Sequence, residues 1–223
     1  MNPPCPRIAL IHAVYAAMAP VEAAFVRLWP QARRVNLVDD ALPADLEADG
    51  GLTPAMIERI DRLTDHAVKA GADGVLFTCN AFGAAIDAAA ATRTVPVLKP
   101  NEAMFEAAID IGGRIGMLAT FAPAIASLER EFREQASRRG AGVTLETLYV
   151  PDALDATRRG DVATHNRIVV EAAPKLAHCD VIMLANFSTS TALAAVERAL
   201  GRDILGAPEA AVMALRRRLG FDG

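Results

Sequence analysis

Aromatic residues make up only 5% of this 223-residue chain, and it has just three cysteines. Cys5, Cys79 and Cys179 are odd in number and irregularly spaced. That excludes a disulfide framework and the paired ligands of a zinc site, so free thiols are expected. The histidines (His12, His66, His165, His178) show no His-x-x-x-His spacing, and no metal is expected. No apolar run approaches the roughly 20 residues of a membrane span. The opening MNPPCPRIALIHAV places prolines where a secretory signal would carry its basic end and long apolar region. A cytoplasmic protein without a membrane partner is the expectation. The net charge is −4 with Lys and Arg scattered, which leaves no basic footprint for nucleic acid.

What the chain does have is apolar residues, 52% of the total, with alanine abundant. This is enough to bury a substantial core. Short β-rich runs alternate with longer helical patterns. Arg7-Ile8-Ala9-Leu10-Ile11 is followed by a helix through VEAAFVRLW, then Val35-Asn36-Leu37-Val38, then a helix from Thr53 to Ala70. Thr53 is placed to cap that helix, Pro54 to occupy its first position and Gly71 to close it. GVLFT, the helix AAIDAAAA and VPVLK complete a βαβ rhythm, so a mostly parallel sheet covered by helices is predicted.

The rhythm then restarts at a constant offset of 107 residues. Arg7–Ile11 matches Arg114–Leu118, and Ala72–Phe77 matches Cys179–Leu184. Val97-Leu98 matches Ile204-Leu205, and Glu102-Ala103 matches Glu209-Ala210. One unchanged offset over roughly a hundred residues argues for duplication. The predicted fold is α/β, with two pseudo-symmetric lobes, each a mostly parallel four-stranded sheet flanked by helices. The first lobe covers residues 1–98, joined by a C-terminal helix over 208–223, and the second covers 99–207. In parallel sheets ligands bind beyond the carboxyl ends of strands, so an active-site cleft between the lobes is expected. The strand-end loops carry His12 and Ala13, Thr78 to Ala81, Thr120 and Phe121, and Ala185 to Ser190.

The offset places Asn186 where Cys79 would recur, so the thiol has no symmetry mate. Cys79 ends a strand and precedes a predicted helix start at Ala81 to Ala85. Backbone N–H groups and the helix dipole there are expected to lower its pKa toward neutrality. Cys5 and Cys179 read as inert thiols. Thr78, Asn80, Thr120 and the backbone around Ala81 and Phe121 are candidates to hold a carboxylate. Thr120 is equally suited to cap a helix from Pro123.

FTCNAFG around Cys79, the restart RIGMLATF, KPNEAMFEAA and DVIMLANFS together resemble the cofactor-independent aspartate/glutamate racemase superfamily, along essentially the whole chain. Hydantoin racemases, maleate isomerases and arylmalonate decarboxylases are relatives in that superfamily. The resemblance implies a small carboxylate substrate, no pyridoxal phosphate or other cofactor, no metal, and a homodimer or higher homo-oligomer. It also implies a proton relay between two cysteines on opposite faces of the substrate's α-carbon. Cys79 matches the first thiol; the second position here reads Leu184-Ala185-Asn186-Phe187-Ser188, an amide in place of a thiol. An amide does not exchange protons near neutral pH, so Asn186 is expected to hydrogen-bond. His12 is then the best other titratable candidate, and a strand-end packing role is its equal alternative. Thr120-Phe121-Ala122-Pro123 carries an aromatic where the family has a further hydroxyl, which suggests a substrate less polar than aspartate. Phe187 and Ser188 complete the candidate binding set.

Asp39-Asp40 reads as a solvated pair, Glu102 and Glu209 as helix starts, and Arg216-Arg217-Arg218 as cations suited to a helix C-terminus. Three readings follow. A racemase- or isomerase-type enzyme works through Cys79 as base or nucleophile. A decarboxylase protonates from one face, although that branch of the family keeps the second-lobe thiol. A binding protein has lost turnover.

Overall fold

The computed structural model describes residues 5–221. The first four residues of the proline-rich leader and the last two of the C-terminal segment lie outside them. Contacts divide the chain into two compact units, Met1–Pro100 with Ala211–Gly223, and Asn101–Ala210. The first contains β1 (Arg7–His12), α1 (Met18–Leu28), β2 (Arg33–Val38), α2 (Leu42–Ala48), α3 (Pro54–Lys69), β3 (Gly74–Phe77), α4 (Gly83–Ala91) and β4 (Val97–Leu98). The second contains α5 (Glu102–Ile111), β5 (Arg114–Ala119), α6 (Ala122–Arg138), β6 (Thr144–Tyr149), α7 (Pro151–Arg158), α8 (Val162–Ala172), β7 (Val181–Leu184), α9 (Leu193–Leu200) and β8 (Leu205–Gly206). The last helix, α10 (Ala207–Arg218), begins in the second unit and belongs to the first from Ala211 onward.

Each unit has one four-stranded parallel sheet, ordered β2-β1-β3-β4 and β6-β5-β7-β8. The two orders are the same order repeated. Strands β3 and β7 are buried at every residue, as inner strands covered on both faces must be, which is why GVLF and VIML read as unbroken apolar runs. The outer strand β2 is half-exposed or exposed throughout. One face of the first sheet, with Ala9, Ile11, Val75 and Phe77, packs on Ile60 of α3 and Ile86 of α4. Its other face meets the end of α10. A Cβ added to Gly74 would lie 3.1 Å from Leu215 and 3.4 Å from Leu219, so this glycine makes room for that helix.

The duplication extends to individual hydrogen bonds. Asp73 Oδ2 accepts the Arg7 N–H at 2.7 Å, and Asp180 Oδ2 accepts the Arg114 N–H at 2.7 Å. The Thr78 N–H donates to Ile11 O at 3.0 Å, and the Ala185 N–H to Leu118 O at 3.0 Å.

Helix ends follow their sequence signals. The Thr53 hydroxyl accepts the Met56 N–H at 3.3 Å, Pro54 opens α3, and Gly71 follows its last turn at φ +83°, where a Cβ would be strained. Two local expectations are corrected. Phe121, not Thr120, is the cap residue of α6, because Thr120 is drawn to a partner on β7's end. Asp39 is ion-paired, not merely solvated: Arg59 bonds both its oxygens, Oδ1 from Nη2 and Oδ2 from Nε at 2.7 Å, and reaches Asp45 at 2.6 Å. Among the described residues no helix is long and apolar enough to cross a membrane.

Candidate active site

In the first unit the carboxyl ends of β1 and β3 lie side by side, because Ile11 pairs with Phe77. This puts His12 beside Thr78, with Cys79 next in the chain. His12 is fully buried and both its ring nitrogens are engaged, Nδ1 with Thr78 Oγ1 at 2.9 Å and Nε2 with Asn36 Oδ1 at 2.8 Å. Burial lowers its pKa, against the opposing pull of the Asn36 hydrogen bond and the Glu22 charge, so the neutral imidazole is favoured. An amide oxygen only accepts, so Nε2 carries the proton and Nδ1 accepts from the Thr78 hydroxyl. Asn36 Nδ2 donates onward to Glu22 at 3.0 Å, and Arg34 Nε holds the same carboxylate at 3.1 Å.

Of the two roles expected for His12, this chain of bonds favours the strand-end packing one over that of a second acid/base. Its ring orients Thr78, and has no nitrogen left for a substrate. Neutral burial has a consequence for stability. The unfolded chain protonates His12 near pH 6.5 and the folded one only below that, so the unfolded state binds more protons as pH falls. Stability contributed by His12 is therefore complete above about pH 6.5 and is lost as pH drops toward the depressed value. NMR titration of the His12 ring should show no transition near pH 6.5; a full transition there would contradict the buried network.

Cys79 departs from the lowered pKa expected of it. Burial pushes its thiol above the ordinary value, and the Ala81 N–H donating to the sulfur only partly offsets this. The sequence places a helix start just after Cys79, yet residues Asn80–Phe82 form a 3-10 turn and α4 begins at Gly83. Cys79 thus gains one N–H rather than the end of an α-helix, and its side chain keeps partial exposure. Asn80 is 8% exposed, Thr78 is buried and Ala81 is half-buried.

In the second unit the corresponding strand ends bring together Thr120 and Asn186. Asn186 Oδ1 accepts the Thr120 N–H at 3.0 Å and the Thr120 hydroxyl at 3.4 Å. A backbone N–H only donates, so the oxygen of the amide must face it. The Nδ2 donors point away from Thr120 and make no hydrogen bond among the described residues. The Asn186 carbonyl is held by Thr189, from N–H at 2.9 Å and from Oγ1 at 2.5 Å. Asn186 is thereby fixed as a donor and is 9% exposed. Phe187 is buried in the following turn, while Phe121 and Ser188 are half-buried.

Asn101 was not among the residues singled out from the sequence. It is fully buried, and its Nδ2 donates to Ala185 O at 2.9 Å, 84 residues away, fixing the peptide that precedes Asn186. Its Oδ1 is buried without a hydrogen-bond partner. The visible signal was an Asn before the helical EAMFEAA, which reads as a helix cap. Asn101 does precede α5, but its side chain makes no capping bond.

Residues 40–147 match a family model described as Asp/Glu/hydantoin racemase. That span includes Cys79, Thr120 and Phe121, but neither His12 nor Asn186. No curated protein matches the chain. Among solved structures the chain is similar to the aspartate racemase of Picrophilus torridus, at 13% identity and a TM-score of 0.73, covering 96% of this chain and 94% of that one. It is similar to the allantoin racemase of Klebsiella pneumoniae, at 18% identity and 0.69, covering 95% and 86%. It is also similar to a mutant arylmalonate decarboxylase associated with sulfate, at 22% identity and 0.67, covering 98% and 95%. At these identities the likeness is one of fold.

Proposed function

We propose that this chain, which carries an Asp/Glu/hydantoin racemase domain over residues 40–147, is a racemase- or isomerase-type enzyme for a small carboxylate, with Cys79 as its reacting group. The observation that carries this reading is the asymmetry of two otherwise matched strand ends, a thiol at Cys79 and a fixed amide donor at Asn186. As thiolate, Cys79 accepts the substrate's α-proton, and the electron pair moves into the adjacent carboxylate. As proposed donors, the backbone N–H groups around Ala81 in the first unit and the Asn186 amide in the second are each suited to the negative charge of a carboxylate. Inversion is completed when the planar carbanion takes a proton from solvent on its opposite face, and the Cys79 thiol gives its proton to solvent to regenerate the thiolate. This chemistry calls for no cofactor. The apolar surface of half-buried Phe121 favours a substrate less polar than aspartate.

One observation favours a second reading, because burial keeps Cys79 protonated in the free protein. A thiol is the right form to deliver a proton. In a decarboxylation the bond to the departing carboxylate breaks and releases carbon dioxide, and the electron pair remains on carbon. The carbanion then takes the Cys79 proton, and solvent restores the thiol.

The pH profile separates the two. Turnover that needs the thiolate rises about tenfold per pH unit below the raised pKa of Cys79, whereas turnover that needs the thiol is flat through neutrality and falls above that pKa. Aspartate, glutamate, allantoin and arylmalonates form the assay panel, with optical rotation and carbon dioxide release as readouts. Turnover whose pH profile follows neither form of Cys79 would defeat both readings.

A further inference from the structure

A second cluster of reactive side chains lies in the second unit, on different residues from those above. Glu146, His178 and Cys179 each offer one ligand atom, and the three atoms lie within 4.8 Å of one another. His178 Nε2 is at the centre, 2.8 Å from Glu146 Oε2 and 3.7 Å from Cys179 Sγ. A zinc ion bound to sulfur, nitrogen and oxygen at about 2.0–2.3 Å separates its ligand atoms by roughly 3.3–3.7 Å. The three atoms are thus within small side-chain movements of that arrangement.

The fold makes space for the thiol. Glu146 on β6 is in register with Gly116 on β5, and a Cβ at Gly116 would stand 3.1 Å from Cys179 Sγ. Cys179 is 2% exposed, held against the sheet by this glycine, while His178 and Glu146 are exposed. Arg202 donates to the Cys179 carbonyl at 2.8 Å, fixing the backbone of the turn.

The duplication provides an internal control. By sheet register and by the 107-residue offset, the first unit has Ala9 for Gly116, Val35 for Glu146, Gly71 for His178 and Ala72 for Cys179. There the same place is a depression of about 90 Å³ lined by Ala9, Val35 and Ala72 among others. The fold accepts apolar residues at this position, so it does not require a carboxylate, an imidazole and a thiol to converge there.

We infer that Glu146, His178 and Cys179 form a binding site for a borderline divalent transition ion of the zinc class, with water completing its coordination on the exposed side. On binding, Cys179 loses its thiol proton to solvent, the His178 Nε2 proton is given up and Nδ1 carries the ring's remaining proton so that Nε2 offers its lone pair, and the Glu146 carboxylate exchanges its hydrogen bond to His178 for a bond to the ion. The site ties outer strand β6 to the turn before β7, and it operates independently of Cys79.

Cobalt(II) titration of the chelator-treated full chain tests this. The expected result is saturable uptake of one ion with a thiolate-to-cobalt charge-transfer band, displaced by zinc. Cys179→Ser should remove the band. His178→Gln and Glu146→Gln should each weaken uptake at least about tenfold, while Cys5→Ser and Cys79→Ser leave it unchanged. His178 and Glu146 lie at the surface, so their variants remain informative if Cys179→Ser does not fold. Absence of saturable uptake, or uptake indifferent to His178→Gln and Glu146→Gln, overturns the inference.

Discussion

Cys79→Ala is expected to lower kcat/KM by about 10²–10⁴-fold on whichever carboxylate the protein turns over, with little effect on folding. Among the described residues at the ends of β1, β3, β5 and β7, the thiol is the titratable group left to react. His12, its nearest candidate rival, spends both ring nitrogens on Thr78 and Asn36. Removing one sulfur from a partly exposed position leaves only a small void, so the melting temperature should change little. Cys79→Ser separates thiol chemistry from packing further. The hydroxyl is nearly isosteric but a far weaker acid, so this variant should be as inactive as the alanine one. Steady-state kinetics alongside urea unfolding checks both statements, and an active Cys79→Ser enzyme would remove the thiol from the mechanism.

Asn186→Asp is expected to fold and to lose about 10²–10³-fold in kcat, the usual cost of removing a donor aimed at developing negative charge. An aspartate still offers oxygen to the Thr120 N–H and hydroxyl, which now accompany Asn186 Oδ1 at 3.0 and 3.4 Å. What it replaces is the pair of Nδ2 hydrogens, by an oxygen that repels a carboxylate. Asn186→Leu has the opposite profile for folding. It strands the buried Thr120 N–H, a desolvation cost of about 1–3 kcal/mol, and abolishes turnover as well. Comparison of the two variants in kinetics and in chemical unfolding therefore assigns Asn186 its two jobs separately. Full activity in Asn186→Asp would show that the amide donates to nothing in the reaction.

The elements most legible in the sequence are those whose causes are local. GVLF and VIML announce inner parallel strands because burial on both faces demands continuous apolar side chains. Thr53-Pro54 and Gly71 announce the ends of α3 because capping depends on neighbouring residues alone. The 107-residue offset carried the position of Cys79 and its replacement by Asn186, since both follow from counting along equivalent strands.

What stayed hidden depends on partners distant in sequence. The fate of His12 is decided by Asn36 on the adjacent strand and by Thr78, 66 residues on. Asn101 gives its amide to Ala185 instead of capping its own helix. The direction of the Cys79 pKa is a balance between burial and one backbone N–H, and only the packed chain sets that balance. The Glu146, His178 and Cys179 cluster has no ligand spacing in the sequence, because the sheet supplies the proximity.

The most direct measurement of the central claim, that one thiol does the proton chemistry, is deuterium incorporation at the reacting carbon in heavy water, analysed for both its amount and its stereochemistry. A single working thiol delivers deuterium to one face of the substrate, and Cys79→Ala abolishes the incorporation. Exchange at equal rates from each of the two enantiomers supplied separately as substrate would reveal a second base. Incorporation that persists in Cys79→Ala would contradict the account outright.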